Sequence, residues 1–218
     1  MAKIDLKSPQ RAFELFHPGF AQALMKEQAE AKGKQLIGML DSDDLSARAL
    51  LSPNQLYNQT GTGKFANLPR IVLNGFYEDR TPKFVFERNK SKPFSFTDST
   101  GRKLTPGDMD TDGGSIPRFL HGNVNYSPWG YGLGYIVHDW VFVAHKCKSK
   151  PDDNLTFDDS ARLMAETLKT MMEVGFTDYD GQARKYPKNI LDVYWIHLAV
   201  SSKIARDLWD KKPTLKCR

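Results

Sequence analysis

Between Gly130 and Cys147 the chain carries a nearly continuous apolar stretch, LGYIVHDWVFVAH, interrupted by the polar pair His138 and Asp139. A run as apolar as Leu133 to Ala144 predicts a helix that is buried on nearly every side. Burying an imidazole beside a carboxylate costs several kcal/mol unless both find partners. The pair therefore indicates either a structural hydrogen-bond network or a site of chemistry.

Two further helices are predicted after this segment. The periodic stretch ARLMAETLKTMMEVG indicates a helix that begins at Thr156 or Asp158 and ends at Gly175, which serves as its C-cap. The stretch NILDVYWIHLAVSSKIARDLW after Pro187 predicts one long final helix.

The earlier part of the chain changes character near Pro69. Residues 8–58 have helical periodicity, and the polar stretch from Asn58 to Pro69 has the composition of a connector. After it, IVLNGF, KFVFER and FSFTD are short, rich in Val, Ile and Phe, and separated by turn residues, which predicts a small antiparallel sheet. The predicted class is α+β: a helix-dominated core with a small antiparallel sheet and a helical N-terminal extension. We expect the extension to cover residues 1–65 and a core domain with the sheet and three helices to cover residues 66–218.

Composition narrows the class of protein. The 218 residues are 40% hydrophobic with a net charge of +5, and the excess cations are scattered lysines without a long basic run, so there is no strong signal for nucleic-acid binding. The N-terminus lacks the apolar core of a secretory signal, and no window reaches the ~18 consecutive apolar residues of a bilayer span. We expect a protein that is not transmembrane and is cytoplasmic as synthesised. Cys147 and Cys217 are the only cysteines, so a single bridge between them stays open.

The turn TDGGSIPR, about two dozen residues before His138, supplies a second set of polar groups. A turn of this composition can aim several backbone groups and one carboxylate at a single point, as a hard cation or a developing oxyanion requires. It can equally be an ordinary turn. Its candidate site residues are Asp112, Gly113, Gly114, Ser115 and Arg118.

Adjacent residues on a helix point ~100° apart, so His138 and Asp139 cannot form a simple dyad with each other. We expect Asp139 to face a cation held by the turn and His138 to act as general base on a water beside it. The imidazole then needs a third group to fix its tautomer, and Asp158 or Asp159 is the candidate. The simpler interpretation of these two is that they are carboxylates favoured by the dipole at a helix N-terminus.

Two other histidines are weaker candidates for the site. His145 follows His138 by two helical turns, so it is either a second ligand or proton carrier or a solvated residue at the helix end. His197, within YWIHLAV, is expected to pack in the last helix with a satisfied hydrogen bond.

The order TDGGSIPR, then NYSPWGYG, then IVHDWVF resembles a family without an established activity that is common in tailed phages, prophages and bacterial genomes. The likeness covers roughly residues 69–175. Members have a similar turn, then a buried helix with His-Asp-aromatic, then a helix that bears an Arg and an Asp. This chain has Ala161 where the family tends to have that Asp, which leaves Asp158 one turn earlier as a substitute. The resemblance implies a protein encoded by a phage or prophage.

The same pattern is distantly similar to bacterial secreted phospholipases of the A2 type, which place a Thr-Asp-Gly-x-Ser turn before a His-Asp-aromatic helix. That resemblance implies His138 as general base, Asp139 as a calcium ligand, and a cation site completed by the turn from Asp112 to Gly114. The disulfides that support those enzymes have no counterpart here.

Two hypotheses follow. The first is a metal-assisted hydrolase, with a divalent metal such as Ca²⁺ and an ester or phospholipid substrate, as a phage-encoded or delivered effector. The second is a non-enzymatic phage or prophage accessory protein, in which Asp112, Arg118, His138 and Asp139 form a buried polar network and residues 1–65 bind a protein partner. If Arg118 forms a bidentate ion pair with Asp139, then His138 and Asp139 have a structural role. If Asp139 binds a cation instead, the two residues have a catalytic role.

Overall fold

A computed structural model of the protein describes residues 51–76, 80, 82–111, 130–211 and 217. The chain divides into two compact units, Met1–Asp41 and Ser42–Arg218. The first unit lies outside the described residues, as do the helices predicted before residue 51. The second unit has the predicted α+β class. Among the described residues, none of the helices has both the length and the apolar character that a bilayer crossing requires.

Within the described residues, the strands form two small antiparallel sheets and a two-stranded ribbon, where the sequence predicted one sheet. The sheet orders are β1-β4-β5 and β2-β3-β6, and β7 pairs with β8. The central strand of the second sheet joins its neighbours through the pairs Val72 with Val85 and Phe84 with Thr111. The strand bounds are β1 Lys64–Ala66, β2 Arg70–Phe76, β3 Pro82–Glu87, β4 Ser95–Thr97, β5 Lys103–Leu104, β6 Met109–Thr111, β7 Phe176–Thr177 and β8 Ala183–Arg184. The three predicted strands correspond to β2, β3 and β4.

Five α-helices and one 3₁₀ turn accompany the strands in the described part of the chain. Their bounds are α1 Pro53–Gln59, α2 Gly132–Cys147, the 3₁₀ turn Asp152–Asn154, α3 Phe157–Glu173, α4 Ile190–Val200 and α5 Lys203–Asp210. Helix α2 is the apolar segment of the sequence; eight of its 16 residues are buried, which is less than the burial on nearly every side that was predicted. It packs on α3 at Gly134, where a Cβ would lie 2.9 Å from Oγ1 of Thr167.

The ends of α3 follow the predicted signals. Thr156 is the N-cap, and its side chain and that of Asp159 bond each other's backbone N–H groups in a capping box. Gly175 has a φ of +89° and donates its N–H to the carbonyl of Thr170 at 2.7 Å. The predicted final helix is instead two helices, because the chain leaves helical geometry at Ser201 and Ser202 caps α5 through the N–H of Ala205. The described residues after position 66 therefore form four helices, where three were predicted.

The stretch predicted as a connector is in fact packed. Strand β1 pairs with β4, and the N–H of Gly63 donates to Oγ1 of Thr170 on α3 at 2.8 Å. A Cβ on Gly63 would lie 2.2 Å from the carbonyl oxygen of Thr97, so only glycine fits there. Tyr57 on α1 belongs to the core. The prediction of a separate extension over residues 1–65 falls mainly outside the described residues and stays a prediction.

A buried ionic cluster fixes the β4–β5 turn to α3. Arg162 lies 3.1 Å from Oδ2 of Asp98 and 2.9 Å from Oε2 of Glu166, and the side chains of both acids are almost fully buried. Glu166 also accepts the backbone N–H of Ser99. Two buried carboxylates thus share one guanidinium, supplemented by backbone donors.

The end of α2 is attached to the C-terminal residues by a disulfide between Cys147 and Cys217, 70 positions apart in sequence. The same helix is tied to the following 3₁₀ turn by the indole N–H of Trp140, which donates to Oδ2 of the buried Asp152 at 2.8 Å. These contacts hold the second half of α2 in place.

Candidate functional site

The face of α2 that carries His138 is lined by aromatic rings. Five side chains recur at intervals of four and three residues and therefore share one side of the helix. We call them the aromatic stripe; they are Tyr131, Tyr135, His138, Phe142 and His145.

Side chains from the C-terminal part of the chain cover both ends of the aromatic stripe. At the beginning, the ring of Tyr131 lies 5.3 Å from that of Tyr186, and its hydroxyl donates to Oδ2 of Asp192 on α4. At the other end, Trp209 on α5 lies 4.9 Å from the ring of Phe142 and stacks on His145 at 4.0 Å. His145 is thus a packed residue rather than a solvated helix end.

His138 lies between these two ends, with its ring 5.0 Å from that of Phe142. The residue as a whole is partly exposed, but Nε2 is shielded from solvent and has no hydrogen-bond partner among the described residues. Burial lowers the pKa of His138 to about 4. The imidazole is therefore neutral near pH 7.

Asp139 is bound to the end of strand β6. Oγ1 of Thr111 donates a hydrogen bond to Oδ2 of Asp139 at 2.8 Å. Thr111 is 4% exposed and immediately precedes Asp112 in the sequence. The strand that leads into the TDGGSIPR turn is thus anchored on the carboxylate that was predicted to face this turn.

The remaining turn residues of the predicted site, Asp112, Gly113, Gly114, Ser115 and Arg118, lie outside the described residues. Their roles and the choice between Arg118 and a cation as the partner of Asp139 stay predictions. Within the described ranges, no three His, Cys, Asp or Glu side chains are grouped as a metal ion would need.

Asp158 lies at the surface in the first turn of α3. Its side chain is 76% exposed and forms an ion pair with Arg206 at 3.2 Å. The neighbouring Asp159 belongs to the capping box and lies 3.6 Å from Arg162. These contacts are those expected of carboxylates at a helix N-terminus, which was the simpler interpretation of Asp158 and Asp159. Nε2 of His138, by contrast, is buried. The role of Asp158 as the third group stays a prediction.

Tyr135 and Asp192 are polar residues near the site that the sequence interpretation missed. The hydroxyl of Tyr135 is buried without a hydrogen-bond partner among the described residues. Burial raises the pKa of Tyr135 above its usual range, and the negative charges of Asp192 and Asp139 add to the rise. Asp192 is 2% exposed in the apolar segment ILDVYWI. An acid within an apolar helix is the signal that singled out His138 and Asp139, and it could have identified Asp192 too.

His197 is satisfied structurally, as predicted. Its Nδ1 lies 3.2 Å from the carbonyl oxygen of Ala161, which links α4 to α3. It takes no part in the group around His138 that the structure describes.

No family model matches the chain, and no match was found among the curated proteins or the solved structures. The resemblances to the phage and prophage family and to the phospholipases therefore stay predictions.

Proposed function

We propose that the protein is a metal-assisted hydrolase of carboxylic esters, with a phospholipid as the most concrete substrate and Ca²⁺ as the most concrete metal. His138 is the general base, and Asp139 holds the cation together with Asp112 and the following turn. A phage-encoded or delivered effector is the biological role that fits this activity.

The observation that carries the proposal is the hydrogen bond between Thr111 and Asp139. It attaches Asp139 to the residue that immediately precedes Asp112 in the sequence, and we infer from this connection that the two carboxylates act together. Carboxylate and backbone carbonyl oxygens are the ligands that Ca²⁺ prefers, and a turn with two glycines can present several such carbonyls. The residues present therefore fit a hard cation, which would polarise the carbonyl of a bound ester.

His138 supports the catalytic part of the proposal. Its Nε2 is buried and unpartnered within the described part of the chain, next to Asp139 in sequence. In the reaction, a water oxygen bonds to the ester carbonyl carbon while His138 accepts one water proton. The bond from that carbon to the alkoxy oxygen then breaks, and the imidazolium returns the proton to the leaving alkoxide. The products are a carboxylic acid and an alcohol.

The test combines turnover with metal binding. Purified wild-type protein is assayed on p-nitrophenyl butyrate and on phosphatidylcholine vesicles, with Ca²⁺ and with EDTA. His138→Gln and Asp139→Asn are each expected to lower turnover at least 100-fold while circular dichroism and Tm stay near the wild-type values. Calcium titration by calorimetry is expected to detect binding to wild type and at least tenfold weaker binding to Asp139→Asn.

Asp158→Asn is the matched control for the carboxylate change, and it also tests the predicted third group. A loss of turnover in this variant without loss of stability supports its assignment as the partner of His138, and unchanged turnover assigns it to the surface. The proposal of a hydrolase fails if wild type hydrolyses neither substrate. It also fails if His138→Gln and Asp139→Asn both retain full turnover, or if both are unfolded.

A second candidate is the non-enzymatic phage or prophage accessory protein, with residues 1–65 binding a protein partner. The hydrogen bond from Tyr131 to Asp192 favours it, because that bond resembles the one from Thr111 to Asp139 and links two elements without any need for chemistry. In that case Asp139→Asn lowers Tm, and calorimetry detects no calcium binding to wild type.

A further inference from the structure

Two unpartnered buried polar atoms belong to the aromatic stripe. Four side-chain atoms in the described residues are buried with no hydrogen-bond partner: the Tyr57 hydroxyl, the Tyr135 hydroxyl, Nε2 of His138 and Nε1 of Trp195. Two of the four lie one turn apart on α2. A third, on Trp195, lies one turn after Asp192, the residue with which α4 contacts Tyr131.

These atoms are not scattered packing defects, because both ends of the stripe are well satisfied. Tyr131 has Asp192 and Tyr186 as neighbours at one end. Phe142 and His145 pack on Trp209 at the other. Only the two middle positions, Tyr135 and His138, present polar atoms that nothing in the described part of the chain satisfies.

An unsatisfied buried polar group costs about 1–3 kcal/mol, and native proteins hold few of them. A phenylalanine at position 135 would fill the same volume without that cost. A tyrosine there, 3% exposed, is explained if its hydroxyl gains a partner in a bound state.

We propose that the middle of the aromatic stripe is the substrate-binding part of the site, where the Tyr135 hydroxyl donates a hydrogen bond to the carbonyl oxygen of the bound ester. This inference rests on the proposed hydrolase function and names the group that binds its substrate.

The electrostatic surroundings keep Tyr135 a hydrogen-bond donor. The negative charges of Asp139 and Asp192 lie near enough to Tyr135 to raise its pKa further, after the larger effect of burial. The phenol is therefore protonated at every physiological pH and acts as a donor.

The experiment is Tyr135→Phe, compared with wild type in steady-state hydrolysis of p-nitrophenyl butyrate. The expected result is a kcat/KM lowered at least about tenfold, mainly through kcat, because the carbonyl oxygen gains negative charge as water adds to its carbon and the lost hydrogen bond is strongest in that state. The Tm is expected to stay equal or to rise, because the variant removes an unsatisfied hydroxyl.

Tyr57→Phe is the matched control. It removes the same atom from another buried tyrosine, whose ring lies beside the ammonium groups of Lys169 and Lys188. Its KM and kcat are expected to equal those of wild type.

The inference is overturned if wild type and Tyr135→Phe share one kcat/KM while His138→Gln and Asp139→Asn lose turnover; the proposed hydrolase then stands without it. A Tyr135→Phe variant that is less stable than wild type with unchanged kcat/KM also overturns it. If wild type hydrolyses no ester, the proposed function fails and this inference fails with it.

Discussion

Thr111 and Asp139, 28 positions apart, are joined by a 2.8 Å hydrogen bond between the end of strand β6 and the middle of helix α2. Replacing Thr111 by valine keeps the shape and removes the donor. We expect the free energy of unfolding to fall by about 1–3 kcal/mol, because the carboxylate loses a partner in a part-buried position. Urea denaturation measures this change.

Thr177→Val, at the exposed position of strand β7, is the control for that substitution and should change stability by less than about 0.5 kcal/mol. A double-mutant cycle with Asp139→Ala, which has no side-chain acceptor, isolates the pair. A coupling energy near zero would show that the two side chains contribute independently.

We expect a larger loss of stability when the guanidinium of Arg162, which two buried carboxylates share, is removed. Arg162→Met keeps the aliphatic stem but leaves Asp98 and Glu166 as buried carboxylates without their cation. We expect a loss of more than about 2 kcal/mol in chemical denaturation. Arg206→Met is the matched control, because its partner Asp158 is exposed, and it should cost no more than about 1 kcal/mol. Equal losses in the two variants would contradict this assignment.

The pKa of His138, lowered by burial to about 4, makes stability depend on pH in a defined direction. Between about pH 6.5 and pH 4 the unfolded chain binds a proton that the folded chain does not, so the free energy of unfolding decreases as the pH falls through this window. Below about pH 4 the residue adds no further dependence. The full effect of this one group is at most about 3 kcal/mol.

This contribution is measured as the difference between wild type and His138→Gln in urea denaturation from pH 4 to 7, with EDTA present. Other titrating groups are common to both proteins and cancel. Parallel stability curves over the window would contradict the burial of the imidazole in its neutral form.

We expect the disulfide between Cys147 and Cys217 to make the oxidised protein more stable than a variant without it. In the chain-entropy description, a bridge across 70 positions restricts the unfolded chain by about 4 kcal/mol at 25 °C. The oxidised protein should therefore resist urea more than the Cys147→Ser, Cys217→Ser double variant. Peptide mapping without reductant verifies the bridge, and an equal midpoint for the two proteins would contradict the prediction.

Several elements could be predicted from local sequence alone. Strands β2, β3 and β4 have the short β-branched and aromatic runs that favour extended chain, and Thr156 and Gly175 mark the ends of α3 through the chemistry of helix caps. Helix α2 was predictable because its apolar residues cover almost the whole helix surface. In each case the determining signal lies within a few residues.

Other features depend on partners that are distant in sequence. Strand β1 has only one buried residue, Phe65, and is defined by its pairing with β4 some 30 positions later. Asp98 looks like an ordinary polar turn residue until Arg162, 64 positions later, is placed beside it. For the candidate site, His138 and Asp139 were found by their apolar setting. Tyr135 was missed, because a tyrosine in an apolar helix is unremarkable until its hydroxyl is found unpaired.

The bridge between Cys147 and Cys217 encloses helices α3, α4 and α5 in one covalent ring with the end of α2. A protease that cuts the backbone once between residues 148 and 216 would therefore release no fragment. The helix bearing His138 would stay attached to the C-terminal piece, and the nicked protein would migrate as a single band until a reductant is added. Comparing gels run with and without reductant after limited proteolysis would therefore show which loops in this half of the chain are cleaved.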